Sequence, residues 1–488
     1  VQEYGEEDLH GTHVAGTVLG SGILNPDAQG MAPRAEAWTY NFDGEQNAST
    51  AQEMVQVRSK ASITLTQNSY GILLDGNCNQ LEDIVYNADD HNLDVLSNAY
   101  PTLTHIFAGG NDQESCAEKT QELWGVQGYG TATQRAKNTI QVGAVDEAGG
   151  LAQFSSCGPQ DDGRLFPTIC AKGVQVLSTT PGNGYKRLDG TSMACPTVTG
   201  TAALLQERYG QLHPGLELRS DLLKGLLSNT ASDAGRRGPD FQYGYGIMNA
   251  ERAVQALERG YWLLDSIASG DAPKLQKLDI PAGATGLRVM LVWIDPPVEK
   301  PQAWGQRALV NDIDLSVKVG AETYLPWVCA GVKDRVEEEA VRKVDNLNNT
   351  EQVTLGVDEF KGEKSATAIV TAREVGQGRQ RYILTWWFDT EIPRVVSPSG
   401  GELLAAGQEA YLAVEGLAAP YTVQLSYDGG MNYTTVATLD EAMGSGLFTV
   451  PANAPTTAKA LLRVIDGGGR VAESREPFIV TPQPVNLQ

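Results

Sequence analysis

The sequence predicts an α/β domain on a mostly parallel sheet over residues 1–260, followed by two all-β sandwich domains at 261–390 and 391–488. Three changes of pattern carry this. Up to about Gly260, short apolar runs (ASITL, THIFAGG, TIQVGAV, VQVLST) alternate with helix-like stretches such as PTVTGTAALLQERYG, and strand-helix alternation builds a parallel sheet. After YGYGIMNAERAVQALERG, the runs LRVMLVWID, DIDLSVKV, SATAIVTAREV and QRYILTWWF read as alternating or aromatic strands between Gly, Pro and Asn turns, a sandwich pattern. From IPRVVSPSGG onward, TVQLSYDGGMNYTTVATL and ALLRVIDGGGRVAE, with their DGG turns, predict a small immunoglobulin-like or fibronectin-like module.

Taken in order, THIFAGG and TIQVGAV are apolar throughout, as strands covered on both faces are. The helix that follows Gly190 and Thr191 keeps Ala194, Gly200, Ala202 and Ala203 small, which lets neighbouring backbones approach closely. Charge then narrows the class: 60 acidic against 37 basic residues give a net −23, which argues against a nucleic-acid surface and suits an exported protein. No apolar run approaches the ~20 residues that span a bilayer. The chain starts at Val1 without a signal peptide, so a processed or truncated N-terminus is expected. The six cysteines, Cys78, Cys116, Cys157, Cys170, Cys195 and Cys329, fit no zinc spacing; a disulfide or two among them competes with buried free thiols.

Three stretches could carry chemistry. Ser192 in DGTSMACP precedes a small-residue helix, so its hydroxyl would sit where free N–H groups and the helix dipole favour an oxyanion; a plain helix cap is the competing role. Asn111 ends the strand-Gly-Gly stretch FAGGN, where an amide donor could stand beyond a strand's carboxyl end, although Gly and Asn also make ordinary turns. His10 in HGTHVAG opens a helix and could take a proton from a serine brought near it. His13 is expected to be a satisfied core histidine facing inward toward the sheet, and a His10/His13 metal pair lacks the glutamate of an H-E-x-x-H helix.

Together HGTHVAGTVLG, GMAPRAEAW, TQNSYG, FAGGN, NTIQVGAV, FSSCGP and DGTSMACPTVTGTAALL resemble the subtilisin-like serine proteases, in that family's order and across nearly all of residues 8–210. LVWIDPP, LVNDIDLSV and DNLNNTEQV resemble the subgroup with a C-terminal jelly-roll β-sandwich. The resemblance implies a subtilisin-like three-layer domain and a serine endopeptidase. It makes His10 the general base, Ser192 the nucleophile and Asn111 the side-chain half of the oxyanion hole. Ser69, Tyr70, Gly71, Ala108, Gly109 and Gly110 would line the substrate cleft, pairing peptide substrates as an extra strand. Attack by serine, proton relay through histidine and hydrolysis of an acyl-enzyme would follow. Peptides or proteins as substrates, the chain's own N-terminal segment or propeptide as partner, a monomeric secreted state and structural calcium (Ca2+) are further expectations. Asp312 and Asp314, with Asp295, are the calcium candidates, competing with a solvated strand edge.

Some residues depart from the family pattern. The family's aspartate precedes its histidine by tens of residues, and here so few residues precede His10 that the aspartate is expected outside the sequence. Glu6, Glu7 and Asp8 are expected to form an acidic loop and helix cap instead. Lys172 stands where the family has proline, Cys195 replaces a common threonine and is expected to be buried and inert, and Met193 is an expected oxidation target. A catalytically impaired chain that serves as a binding or adhesion module is the alternative.

Overall fold

The computed structural model describes residues 8–39, 63–72, 74, 77–299, 302–360, 362–376, 378–390, 393–440 and 445–482. The chain divides into two compact units, one of Val1–Ile280 with Leu287–Trp387, the other of Pro281–Gly286 with Phe388–Gln488.

The first unit begins with α1, Leu9–Leu19, whose N-cap Asp8 accepts from the backbone N–H groups of His10 and Gly11 at 3.1 and 2.6 Å. This is the acidic cap the sequence predicts; Glu6 and Glu7 lie outside the described residues. Four strands, β1 (Leu65–Asn68), β2 (Thr104–Ala108), β3 (Ile140–Val145) and β4 (Ile169–Lys172), form a parallel sheet in chain order. The two apolar runs predicted to be buried strands are β2 and β3, and all six residues of β3 are buried.

Alternation along β2 builds the layers, because successive side chains point to opposite faces. Ile106 packs with Ala194, Val198 and Ala202 of the long helix Thr191–Leu212, while Phe107 packs with Leu93 of Ala88–Ala99. In chain order these helices are α2, Ala88–Ala99, and α4, Thr191–Leu212, with α3, Ala117–Trp124, between them. An antiparallel hairpin of β5 (Val176–Thr180) and β6 (Gly184–Leu188) precedes α4, and α5 (Ser220–Asn229) and α6 (Ala250–Glu258) follow it.

The sandwich of the first unit has two four-stranded sheets, in the orders β11-β10-β15-β8 and β14-β9-β16-β7. Its strands are β7 (Trp262–Ile267), β8 (Lys274–Asp279), β9 (Ala284–Val292), β10 (Asp312–Val319), β11 (Glu322–Tyr324), β14 (Thr350–Gly356), β15 (Ser365–Glu374) and β16 (Gln380–Thr390), with the short pair β12 (Trp327–Val328) and β13 (Val341–Arg342) between β11 and β14. Met290, Val292, Ile383 and Trp387 from this sandwich share one apolar core with Ile140, Val142, Leu222 and Leu226 of the parallel-sheet region. A buried polar seam runs beside that core: Lys137 ion-pairs with Asp295, whose carboxylate also accepts from the N–H groups of Val310 and Asn311. The sandwich is therefore bound to the parallel-sheet region by core and hydrogen bonds alike.

The second unit is a further β-sandwich, with sheets Arg394–Ser397/Glu409–Glu415/Ser445–Thr449 and Leu403–Ala405/Phe478–Thr481/Thr457–Asp466/Tyr421–Ser426/Thr434–Leu439. Leu412, Val423, Leu425, Phe448, Leu462 and Val464 fill it. Both predicted DGG turns form around an aspartate: Asp428 accepts from the Asn432 backbone and side chain, and Asp466 from the N–H groups of Gly468 and Arg470.

Candidate active site

The site is built at the carboxyl ends of β1 and β2 and at the N-terminus of α4. Parallel pairing sets Asn68 opposite Phe107, so Ser69-Tyr70-Gly71 and Ala108-Gly109-Gly110 leave adjacent strands side by side. The Tyr70 ring stands edge-on to Phe107 at 5.9 Å, and its hydroxyl donates to Asn68 Oδ1 at 3.0 Å. A Cβ placed on Gly71 would lie 3.4 Å from Thr133 Oγ1. Thr133 therefore borders this edge, which nothing in a single sequence signals.

Ser192 sits in the first turn of α4, half-buried, with Gly190 as the N-cap. Pro196 follows it by four residues and has no N–H, so the Ser192 carbonyl loses its helical partner. Ser69 fills that vacancy by donating its hydroxyl to Ser192 O at 2.9 Å, and the Ser192 hydroxyl faces Ser69 O at 3.4 Å. An in-helix proline thus ties the cleft strand to the nucleophile candidate.

Asn111 is held by α4 itself. Its Oδ1 accepts from Thr191 N at 2.9 Å and Thr191 Oγ1 at 3.0 Å, while Thr191 Oγ1 accepts from Gly110 N at 3.1 Å. With the carbonyl end fixed, the amide end points toward the helix mouth. A Cβ placed on Gly190 would stand 3.8 Å from Asn111 Nδ2 and 3.6 Å from Ser192 N, so both donors border one small space beside Gly190. Among the described residues neither of these N–H donors has a protein acceptor. Gly190 has φ 151 and ψ 156, a backbone that side chains avoid, and its N–H is fixed to Gly173 O at 2.8 Å. Sequence reasoning passed over Gly190, although its place before Thr191-Ser192 was the available signal.

His10 is carried by α1, which packs against α4 and β5. Ser178 Oγ donates to His13 O at 2.7 Å and Thr179 Oγ1 to Thr12 O at 3.0 Å. A Cβ on Gly16 would come within 2.0 Å of Thr179 Oγ1, so only glycine allows this approach. His13 is the buried histidine expected, its Nε2 between the carbonyls of Val176 and Lys186 at 3.0 Å each, and desolvation holds its pKa below the ordinary value. It faces the β5–β6 hairpin, not the parallel sheet. His10 is exposed; among the described residues no hydrogen bond joins its ring to Ser192, and no carboxylate lies within ion-pair distance of it.

The remaining expectations fall out differently. Lys172 ends β4 and pairs with Glu147 at 2.7 Å, while Gly173 after it carries the bond to Gly190 N, so the loop supports the site without the family's proline. Cys195 is fully buried against the carbonyls of Ile106 and Asn68, and desolvation raises its pKa to about 12, which leaves it inert. Met193, expected as an oxidation target, is only 1% exposed. Cys78 and Cys116 form a disulfide, and Cys157, Cys170, Cys195 and Cys329 are free.

Asp312, Asp314 and Asp295 do not fit a calcium ion. Asp312 pairs with Arg307 at 2.9 Å, Asp314 with Arg373 at 3.0 Å, and Asp295 with Lys137. Each carboxylate already faces a cation, and the described residues hold no group of three or more His, Cys, Asp or Glu side chains arranged for a metal. Asp312 and Asp314 lie two apart at the start of β10, Asp314 facing Arg373 across on β15 and Asp312 facing Arg307 of the preceding loop.

Residues 2–246 match the model of the subtilase family, peptidase S8. The chain belongs to the subtilase family. Subtilisin DY of Bacillus licheniformis is 31% identical over 254 residues, covering 50% of this chain and 77% of that protein. Subtilisin Savinase of Lederbergia lenta is 31% identical over 252 residues, with the same coverage of 50% and 77%. Bacillopeptidase F of Bacillus subtilis (strain 168) is 29% identical over 266 residues, which span 52% of this chain and only 17% of that protein. The matched region of this subtilase contains His10, Asn111 and Ser192, and both sandwiches lie beyond it. It is a serine-type peptidase domain with a subtilisin-like parallel sheet, followed by a mostly β region.

Proposed function

We propose that this subtilase is a secreted endopeptidase that cleaves protein and peptide substrates through an acyl-enzyme. The observation that carries this is the pair of N–H groups, Asn111 Nδ2 and Ser192 N, bordering the space beside Gly190. A tetrahedral oxyanion there would meet donors already held in place by Thr191 and the helix, so little reorganisation is needed as charge develops. Ser192 Oγ attacks the scissile carbonyl, His10 takes its proton and returns it to the leaving amine, and water then releases the acyl group. The substrate backbone lies along Ser69–Gly71 and Ala108–Gly110 as an added strand. The acting form is a monomer without nucleic acid, first accompanied by its own N-terminal segment or propeptide. Among the described residues no helix is long and apolar enough to cross a membrane.

That no described residue hydrogen-bonds or ion-pairs with the His10 ring favours a second reading, a catalytically impaired chain used as a binding or adhesion module. In the first reading an aspartate from another segment orients His10. A fluorophosphonate probe separates the two. Protein produced with the coding sequence upstream of Val1 should label at Ser192 and lose labelling in Ser192→Ala; absence of labelling in that longer protein supports the binding module.

A further inference from the structure

Between the parallel-sheet region and the sandwich of the first unit lies a cavity of about 30 Å³, bordered by Lys224, Arg164, Gln160, Tyr245, Asn349 and Thr350 among others. That is room for one or two water-sized groups. Its cations are unequally paired. Nearby buried cations each face a carboxylate: Arg135 meets Asp161 at 3.1 Å, Arg164 meets Asp162 at 2.7 Å, and Lys137 meets Asp295, with Asp94 at 3.9 Å. Lys224, 8% exposed on α5, has only the Lys137 carbonyl at 3.2 Å, and among the described residues no carboxylate lies within ion-pair distance of it.

The other lining groups add donors. Arg164 spends Nε on Asp162 and Nη2 on Arg135 O, and among the described residues Nη1 has no acceptor. Thr350 Oγ1 is buried with no partner, and so is the acceptor Gln160 Oε1. Water satisfies dipoles in such a space, but an ammonium taken out of solvent also needs opposite charge. We propose that this cavity binds a single small monovalent inorganic anion of chloride's size, held by Lys224, the free edge of Arg164 and the Thr350 hydroxyl. Burial first, then repulsion from Arg164, holds Lys224 down at about 8 against attraction from Asp94, as suits a buried ammonium that touches no carboxylate among the described residues. Because Lys224 and Arg164 come from the peptidase region and Thr350 from the sandwich, the anion clips the two together. The proposal does not rest on the peptidase reading.

The test uses the whole chain in a Ser192→Ala background to prevent self-cleavage. At pH 7 and equal ionic strength, the unfolding midpoint should be higher in sodium chloride than in sodium gluconate by about 3 °C if chloride is well above its Kd. Crystals grown in sodium bromide should show an anomalous peak within hydrogen-bond reach of Lys224 Nζ. Lys224→Met, or Lys224→Gln should the first fail to fold, should lose both the chloride increment and the peak, whatever its own midpoint. Equal midpoints in the two salts, no bromide peak, or an increment that survives in the variants would each overturn the proposal.

Discussion

Removing Asn111 tests the site where its geometry is most specific. Asn111→Ala deletes one of the two donors beside Gly190 and leaves Ser192 N in place. Loss of one oxyanion-hole donor costs about 2.7–4 kcal/mol, on the order of 10²–10³ in kcat, a magnitude established on subtilisin itself. KM should scarcely change, because an oxyanion-hole bond strengthens as charge develops in the transition state. Thr191→Val removes the hydroxyl bond to Asn111 Oδ1 at 3.0 Å but keeps the backbone bond at 2.9 Å. One neutral hydrogen bond is worth about 1 kcal/mol, so kcat should fall about fivefold. Because Thr191 acts through Asn111, it should cost nothing further in kcat once Asn111 is alanine, while the stranded Gly110 N–H lowers stability in both backgrounds. The assay is kcat and KM on a chromogenic peptide for the four proteins of this cycle, each produced with the coding sequence upstream of Val1. A Thr191→Val effect on kcat that persists undiminished without Asn111, or an Asn111→Ala effect confined to KM, refutes the positioning argument.

Gly190→Ala should lower kcat at least as far as Asn111→Ala, since its methyl would sit 3.6–3.8 Å from both donors and its φ of 151 strains any side chain; fluorophosphonate labelling rates check this. Breaking Cys78–Cys116, across a sequence separation of 38, should cost about 4 kcal/mol on the loop-entropy model. Because its arms follow Gly71 and Asn111, KM should rise with it; Cys78→Ser/Cys116→Ser read by calorimetry and peptide kinetics measures both. His105, buried on β2 against Thr66, is held at about 4 by desolvation. A lowered histidine pKa gives stability that is present above the unfolded value of about 6.5 and lost as pH falls to 4, about 3 kcal/mol in all. Asp90, raised to about 6 by burial, acts with the opposite sign over part of that window. The check is therefore the difference between the parent chain and His105→Gln in urea unfolding from pH 7 to 4, which should carry the His105 slope alone.

Local pattern made much of this protein readable. Buried strands β2 and β3 announce themselves as uninterrupted apolar runs, and Ser192, Asn111 and His10 each sit in a short stretch whose residue types suit one task. What could not be read is the set of distant partners. Nothing beside Asn111 reveals that Thr191 fixes its carbonyl, and nothing beside Pro196 reveals that Ser69 takes over the Ser192 carbonyl. Six cysteines admit fifteen complete pairings, so Cys78–Cys116 could not be chosen from spacing. The partners of the calcium candidates were hidden for the same reason: Asp312 and Asp314 look like bare oxygen ligands until β15 brings Arg373 across and the preceding loop folds Arg307 back.

The placement of His10 separates position from chemistry. Ser178 and Thr179 hold the carbonyls of His13 and Thr12, Gly16 lets the hairpin touch the helix, and His13 spans both hairpin strands. These contacts set where α1 starts, and none of them involves a carboxylate near the His10 ring. An orienting aspartate would therefore act on the tautomer and on the stability of the imidazolium, not on the location of the helix. It follows that Gly16→Ala and loss of the aspartate should fail in different ways. The first brings a methyl within 2.0 Å of Thr179 Oγ1 and must move α1, so stability and activity fall together. If the endopeptidase reading holds, substituting the aspartate that orients His10 should leave the unfolding midpoint near that of the parent protein while kcat collapses.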